Sequence, residues 1–95
     1  MELEWDEVKR LRTLEERGLD FADVMPFQFE TAVTRPDLRE DYGEKRFNSM
    51  GYLDGALCNL CWTVRGKPFR IISLRKCNER ERKKYEKASG AADAR

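Results

Sequence analysis

The residues best suited to chemistry in this chain are the arginines and lysines of its C-terminal third. Residues 65–87 carry 10 Lys and Arg against 3 acids, whereas residues 1–64 carry 8 against 14. A change of sign this sharp predicts a surface that faces a polyanion. Arginine suits that task, because its planar fork of N–H donors grips phosphate oxygens and stays charged. Strands and turns are expected to gather the cations that precede the final helix, which are Arg65, Lys67, Arg70, Arg75 and Lys76.

The chain contains no histidine, which excludes triads and acid–base pairs built on that residue. Cys58 and Cys61 form a C-x2-C pair, a spacing typical of zinc sites, but a structural zinc site needs four ligands and only Cys77 remains. Odd spacing within a strand also points Cys58 and Cys61 to opposite faces. We therefore expect all three cysteines to be reduced, interpret Cys58 and Cys61 as small buried side chains, and expect no metal.

The length of 95 residues predicts one domain over residues 1–88, followed by a flexible tail at 89–95. The core is modest, and no cofactor is expected. No apolar run reaches the about 18 residues that a membrane span requires, and the acidic N-terminus lacks the features of a signal peptide. The expected location is the cytoplasm, without contact with a membrane.

Residues 2–5 are predicted to form a short edge strand, and capping signals predict that a helix follows. Asp6 is suited to cap that helix, which runs to about Arg17 and stops at Gly18. Its apolar residues recur on one helical face and are Val8, Leu11 and Leu14.

A second N-terminal helix is predicted to begin at Asp20. Pro26 falls too deep for the first turn, so this helix is expected to be short or irregular. The β-prone segment 31–34 then ends at Arg35, which precedes a proline and is pushed to extended geometry.

Three further strands are predicted at about 44–53, 56–64 and 69–75. Asp54-Gly55 is a strong hairpin signal, and residues 65–68 form a second turn. Asn78 and Glu81 then open a final helix with a capping box. The predicted fold is α+β, with N-terminal helices and a C-terminal helix packed on one face of a small antiparallel meander.

A set of short motifs follows the chain in a fixed order. They are Trp5-Asp6-x-x-Lys9, Gly18-Leu19-x-Phe21-x-Asp23, Asp41-Tyr42-Gly43-Glu44-x-Arg46, Gly51, Thr63-x-Arg65-Gly66, Arg70-Ile71-Ile72-Ser73-x-Arg75, Asn78-Glu79-Arg80-Glu81 and Tyr85. This set spans roughly residues 4–88 and resembles the BrnT family of toxins.

The resemblance implies a bacterial ribonuclease toxin of a type II toxin–antitoxin system, with a RelE-like fold. It implies metal-independent cleavage of RNA that inhibits translation and growth. It also implies a BrnA-like antitoxin partner, through which operator DNA is bound. Homodimers or heterotetramers are expected only within the complex with that antitoxin.

Three departures from the family pattern bear on function. Where many members read Asn-x-x-Lys-His-Gly, this chain has Thr13, Glu16 and Arg17 before the glycine. An arginine common after the hairpin glycine is Ala56, and apolar strand residues are replaced by Cys58, Asn59 and Cys61. The missing Lys-His pair and the missing arginine are compatible with weaker or lost toxicity.

Cleavage of RNA without a metal needs a deprotonated 2′-hydroxyl, a stabilised pentacoordinate phosphate and a protonated 5′-oxygen. Arg65 and Arg75 are our candidates for stabilising the transition-state charge, although a straight hairpin holds them at opposite ends. Glu44 and Tyr85 are the candidates for proton transfer, and the sequence does not choose between them. Tyr85 is equally compatible with a core aromatic.

Strict alternation along residues 69–75 places Ser73 and Arg75 on one face and Arg70 on the other. Arg75 is therefore preferred to Arg70 in a single compact site. The candidates for binding the RNA backbone are Arg46, Lys67, Lys76 and Lys83.

Two other functions remain open from the sequence. One is a degenerate toxin that binds the antitoxin or RNA and does not cleave, and growth arrest on expression would argue against it. The other is a transcription cofactor that acts only through a DNA-binding partner, because the chain shows no recognition helix of its own.

Overall fold

The computed structural model describes residues 2–64, 66 and 68–89. Its strands are β1 (Leu3–Trp5), β2 (Val33–Pro36), β3 (Phe47–Leu53), β4 (Ala56–Val64) and β5 (Phe69–Lys76), and its α-helices are α1 (Glu7–Arg17) and α2 (Glu79–Ser89). The strands form one sheet in the order β1-β5-β4-β3-β2. The α+β class and the β3–β4–β5 meander are confirmed.

The sheet is mixed rather than purely antiparallel, because β1 runs parallel to β5 at one edge. All other neighbouring strands are antiparallel. The prediction of a wholly antiparallel sheet is therefore wrong at this edge. β1 joins β5 from the far end of the chain, so no hairpin turn constrains its direction.

Both α-helices begin where their capping residues predict. Asp6 Oδ1 accepts a hydrogen bond from the backbone N–H of Lys9 at 3.1 Å, and Gly18 ends α1 in the left-handed conformation with φ of 68°. Asn78 and Glu81 exchange two hydrogen bonds of 2.9 Å, each from a backbone N–H to the other side chain. Within the described ranges, no helix is long and apolar enough to cross a membrane.

The end of α2 adjoins the predicted tail, and the division at residue 88 stays a prediction. Ser89, the first residue of the predicted tail, is the last residue of α2. The rest of the predicted tail, residues 90–95, lies outside the described residues.

The second predicted helix is wrong, because the segment after Asp20 forms two isolated 3₁₀ turns, Phe21–Asp23 and Phe29–Thr31. The Asp20 carboxylate accepts from the N–H of Ala22 at 2.9 Å, only two residues further on. Pro26 lacks the N–H that a continuing helix needs. The segment therefore stays irregular.

The segment 19–32 covers one face of the sheet and forms the hydrophobic core with it. Phe21, Val24 and Phe27 are buried against the sheet side chains Leu60 and Leu74. Burial of each large apolar side chain contributes about 1.5–3 kcal/mol. The side chains on this face of the sheet therefore serve to stabilise the fold.

The two α-helices lie on the opposite face of the sheet. The ring of Tyr85 in α2 packs edge-on against Tyr52 in β3, with centroids 5.8 Å apart. Thr13 of α1 lines a pocket with Ser73 of β5. The predicted placement on one face therefore holds for the α-helices, but the apolar core is on the other side.

The hairpin between β3 and β4 turns at Asp54-Gly55 as predicted. Both residues have positive φ, 51° and 83°, which is the requirement of a type I′ turn. β3 begins at Phe47 rather than near residue 44. In the second predicted turn Gly66 also has positive φ, while Arg65 and Lys67 lie outside the described residues.

A β-bulge interrupts the pairing of β4 with β5. Cys61 pairs with Ser73, but Trp62 pairs with Ile71, so Ile72 has no partner on β4. An extra residue of this kind reverses the alternation of side chains beyond it.

The bulge overturns the prediction that Arg70 and Arg75 point to opposite faces. Arg70 pairs with Thr63 and Arg75 pairs with Asn59. These two β4 residues are four apart and lie on the same face of the sheet. Arg70 and Arg75 therefore share that face, where Arg70 forms an ion pair of 3.1 Å with Glu4.

Gly51 offers a test of the core face, because a Cβ added there would lie 2.8 Å from Cζ of Phe27 and 3.0 Å from Cβ of Ala32. We expect Gly51→Ala to lower the free energy of unfolding by about 1–3 kcal/mol through overpacking. Urea titration followed by circular dichroism measures the loss.

A second substitution tests whether contact with the Phe27 ring causes this loss of stability. Phe27→Leu removes Cζ, so the double variant should lose less stability than the sum of the two single losses. Strict additivity would show that Phe27 does not press on Gly51.

Candidate functional site

A cleft of about 340 Å³ opens on the sheet face that carries α1 and α2. Four cations line it, together with two carboxylates and two amides. We call it the cationic cleft, and its charged and amide side chains are Arg35, Arg39, Arg75, Lys84, Asp37, Glu81, Asn48 and Asn59. The cations outnumber the carboxylates two to one, so the cleft favours anions.

The pairing between neighbouring strands determines which residues form the floor of the cationic cleft. Asn59 in β4 lies between Met50 in β3 and Arg75 in β5. One step towards the edge of the sheet, Arg35 in β2 pairs with Asn48 in β3. Directly opposite residues of antiparallel strands project from the same face. Four strands therefore contribute to one polar surface.

Arg75 is held by Glu81 from the first turn of α2. The two guanidinium nitrogens Nη1 and Nη2 donate to the two carboxylate oxygens at 2.7 and 2.6 Å. These hydrogen bonds lower the pKa of Glu81 to about 2 and raise the pKa of Arg75. Because Glu81 also caps α2, Arg75 is fixed to the start of that helix.

A second carboxylate, Asp37, organises the loop between β2 and β3. Its side chain is almost fully buried and accepts from Nε and Nη2 of Arg39 at 2.8 and 2.6 Å. The Tyr42 hydroxyl donates to the same carboxylate at 3.3 Å. The hydrogen bonds from Arg39 outweigh burial and hold the pKa of Asp37 well below its usual range. Arg39 itself is mostly exposed and lies at the rim of the cleft.

The Asn59 side chain has an unused acceptor next to Arg75. Its Oδ1 atom is buried and has no hydrogen-bond partner within the part of the chain that the structure describes. An unpaired buried polar atom costs about 1–3 kcal/mol. Native folds keep few such atoms, and each calls for an explanation. A ligand of the cationic cleft that donates a hydrogen bond to Asn59 Oδ1 would be such an explanation.

Residues 5–81 match the family model described as ribonuclease toxin, BrnT, of type II toxin–antitoxin systems. The chain belongs to the BrnT family. No curated protein and no solved structure gave a match, so the RelE-like label stays a prediction. Membership makes the chain a ribonuclease toxin of a type II system, with RNA as substrate and an antitoxin as partner.

The cationic cleft contains one of the residues that the sequence predicted for the site of this BrnT chain. Of the six predicted residues within the described ranges, only Arg75 lines it. Lys76 and Lys83 are exposed and lie outside its lining. Arg65 and Lys67 lie outside the described residues.

Glu44 and Arg46 lie together in a neighbouring pocket of about 370 Å³, across the segment 36–38 from the cleft. Arg46 Nε donates to Glu44 at 3.0 Å. The Arg46 guanidinium also lies 4.1 Å from the centre of the Tyr42 ring, a cation–π contact. The structure therefore pairs these two predicted residues with each other but not with Arg75.

Tyr85, the other candidate for proton transfer, is buried between α2 and the sheet. Its hydroxyl donates to the backbone oxygen of Thr31 at 2.9 Å. It does not line the cationic cleft. This geometry agrees with the core aromatic that the sequence left open, and a catalytic role for Tyr85 stays a prediction.

Sequence reasoning missed most of the cleft. The charged and amide members that were not predicted as site residues are Arg35, Asp37, Arg39, Asn48, Asn59, Glu81 and Lys84. Arg35 and Arg39 come from the acidic part of the chain, so a count of charges by segment points away from them. Asn59 did carry a signal, since a polar amide in an otherwise apolar strand has to be accounted for.

The cysteines are free, as predicted, and Cys58 and Cys61 lie on opposite faces of β4. Cys58 belongs to the core, and burial raises the pKa of both thiols. Within residues 2–64, 66 and 68–89, no group of three or more His, Cys, Asp or Glu side chains is arranged to hold a metal ion.

The ion pair between Arg75 and Glu81 predicts how stability changes with pH. We expect Glu81→Gln to lower the free energy of unfolding by about 1 kcal/mol at pH 7, since the pair is partly exposed and glutamine preserves the capping box. Because folding depresses the pKa of Glu81 from 4.5 to about 2, the stabilisation is complete above 4.5 and lost as pH falls towards 2. The difference between the two proteins should therefore vanish over that range in urea titrations.

Glu79→Gln is the matched control, because Glu79 is an exposed acid in the same first turn. It should change the pH profile little. Equal profiles for the two variants would show that Arg75 does not bind Glu81 specifically.

Proposed function

We propose that this chain is an endoribonuclease that cleaves RNA in the cationic cleft without a metal ion, and so inhibits translation and growth. The observation that carries this proposal is the gathering of Arg75 with Arg35, Arg39 and Lys84 on one face of the sheet. A cluster of cations around a groove binds the phosphates of a nucleic acid. Family membership supplies the reaction class.

The proposed reaction is attack of a 2′-hydroxyl on the adjacent phosphorus. The 2′-oxygen–phosphorus bond forms and the phosphorus–5′-oxygen bond breaks, which leaves a 2′,3′-cyclic phosphate and a 5′-hydroxyl. Arg75 and Arg39 stabilise the additional negative charge on the pentacoordinate phosphate. Guanidinium groups supply in this way the positive charge that a metal ion supplies in other nucleases, which supports metal independence.

Two protons must move in this reaction, one from the 2′-hydroxyl and one to the 5′-oxygen. Asp37 and Glu81 have low pKa values, so near neutral pH they hold the arginines and have no proton to give. We keep Glu44 and Tyr85 as the proposed proton-transfer groups, and Arg65 as a further proposed cation at the transition state. Asn59 is proposed to accept a hydrogen bond from the RNA.

We further propose that a BrnA-like antitoxin neutralises this activity and links the toxin to operator DNA. Dimers or heterotetramers then form within that complex. The cytoplasm is the proposed place of action, because the RNA substrate is there. Arg46, Lys67, Lys76 and Lys83 are proposed to attract the RNA backbone from outside the cleft.

One observation favours a second candidate function, a degenerate toxin that binds the antitoxin or RNA and does not cleave. Arg75 is bound on two nitrogens by Glu81, which neutralises the central cation of the cleft. In this alternative the pair is permanent. In the proposed ribonuclease, a phosphate competes with Glu81 for Arg75.

Cleavage of a labelled single-stranded RNA in the presence of EDTA tests the proposal. We expect Arg75→Gln to slow cleavage about 100-fold or more, as removal of one transition-state donor does in other enzymes. Arg39→Gln should act in the same direction. Arg80→Gln is the matched control, because it removes the same charge from an exposed position of α2 outside the cleft.

The outcomes separate the candidates. Cleavage in EDTA that depends on Arg75 and not on Arg80 supports the proposal. Loss of cleavage on addition of EDTA contradicts metal independence. Absence of both cleavage and growth arrest from folded wild-type protein that still binds an antitoxin favours the degenerate toxin.

A further inference from the structure

The helix α1 is turned the opposite way from an ordinary amphipathic helix. Its apolar side chains Val8, Leu11 and Leu14 are 64, 51 and 40% exposed, whereas Thr13 is buried. Burial of a valine or leucine side chain stabilises a fold, so this orientation gives up stability. A role for the polar side, which faces the sheet, would account for that loss.

The polar side of α1 forms a pocket of about 240 Å³ with β5. Its lining residues are Lys9, Arg12, Thr13, Glu16, Arg17 and Ser73, and we call it the α1 pocket. Three cations face one carboxylate, and two hydroxyls stand beside them. Such a set suits a phosphate, which accepts hydrogen bonds from all five donor side chains.

The cations of the α1 pocket differ in the contacts that their side chains make with the rest of the protein. Arg17 Nη1 donates to the backbone oxygen of Leu74 at 3.0 Å, which anchors α1 to β5. Lys9 and Arg12 make no side-chain ion pair within the described part of the chain. Their charges are therefore available to a ligand.

The α1 pocket and the cationic cleft are neighbours on one strand. Ser73 lines the first and Arg75 lines the second. Both lie beyond the bulge and pair with β4 residues of the same face, Cys61 and Asn59. Two residues of a strand span about 6.6 Å, which is comparable to the step between successive phosphates of a single RNA strand.

The β4 residue that lies between the two sites is buried and uncharged. Cys61 lies there, and burial raises the pKa of its thiol, so it is neutral. Charged groups from both sites act on that thiol, Asp37 and Arg39 from the cleft and Lys9 from α1. The two linings together hold seven cations, four from the cleft and three from the α1 pocket, against three carboxylates, so the pair of sites carries a net positive charge.

We propose that the α1 pocket is a second phosphate subsite, which holds the RNA phosphate next to the one in the cationic cleft. The inference rests on the proposed function, since it assigns a further part of the same substrate. Lys9 and Arg12 bind the phosphate, and Thr13 and Ser73 donate hydrogen bonds to it. The polar orientation of α1 is thereby explained as part of the substrate site.

Two 2′-O-methylated ligands test this subsite, because they cannot undergo cleavage. One is a dinucleoside with a single phosphate, and the other is a trinucleoside with two. We expect the Lys9→Gln, Arg12→Gln double variant to bind the two-phosphate ligand about tenfold more weakly, and to bind the one-phosphate ligand unchanged. The slope of log affinity against log salt should fall by about 0.7, because one phosphate is no longer neutralised. NMR titration measures both affinities and reports the fold of each variant.

Two further variants make the result decisive. The Arg80→Gln, Lys87→Gln double variant removes the same charge from the exposed side of α2, and it should leave both affinities nearly unchanged. An equal loss in this control, or an unchanged two-phosphate affinity in the Lys9 and Arg12 variant, would overturn the subsite. If Arg75→Gln leaves both affinities unchanged, the cationic cleft itself fails, and the proposed function fails with it.

Discussion

The single unpaired residue in β5 decides which side chains reach the functional face. Ile71 and Leu74 are both buried in the core although they are three residues apart, which regular alternation does not allow. The bulge at Ile72 reconciles the two. Its consequence is that Ser73 and Arg75 turn to the polar face, where Ser73 meets α1 and Arg75 meets α2. Packing on one side of the sheet thus fixes chemistry on the other.

The cleft that results is held together by charge pairs rather than by apolar packing. Asp37 and Glu81 each bind one arginine with two short hydrogen bonds, so both arginines are oriented before any ligand arrives. Preorganised charges avoid the cost of ordering them during a reaction. The same pairs reduce the net charge that a phosphate meets. A ligand must therefore compete with a carboxylate, and that competition separates an active toxin from a degenerate one.

The division of labour between the two faces has a cost in stability. A domain of 95 residues has a small core, and here that core is built from one sheet face and the irregular segment 19–32. α1 adds little apolar burial, since Val8, Leu11 and Leu14 point away from the sheet. A fold that gives surface to a site in this way gives up part of the stability that it could have.

The sequence by itself determined the elements whose signals are local. Asp6, Gly18, Asn78 and the turn at Asp54-Gly55 act through neighbouring backbone groups, so their types and spacing suffice to locate both α-helices and the meander. Arg75 was found through the charge count along the chain, although the alternation that favoured it over Arg70 is overturned by the bulge. Local signals failed for the segment after Asp20, where aromatic side chains fill the sheet face and override helix propensity.

Only the tertiary structure decided which residues meet. The cleft draws Arg35, Arg39, Asn59 and Arg75 from three strands and a loop, and no spacing along the chain encodes cross-strand register. The direction of β1, the bulge in β5 and the inverted orientation of α1 likewise depend on packing between distant segments. The charge count by segment predicted a basic surface from the C-terminal part alone, whereas the folded protein brings cations of both parts of the chain together in one cleft. The physical reason is that side-chain proximity in a sheet is set by pairing and alternation, which a single local defect can reverse.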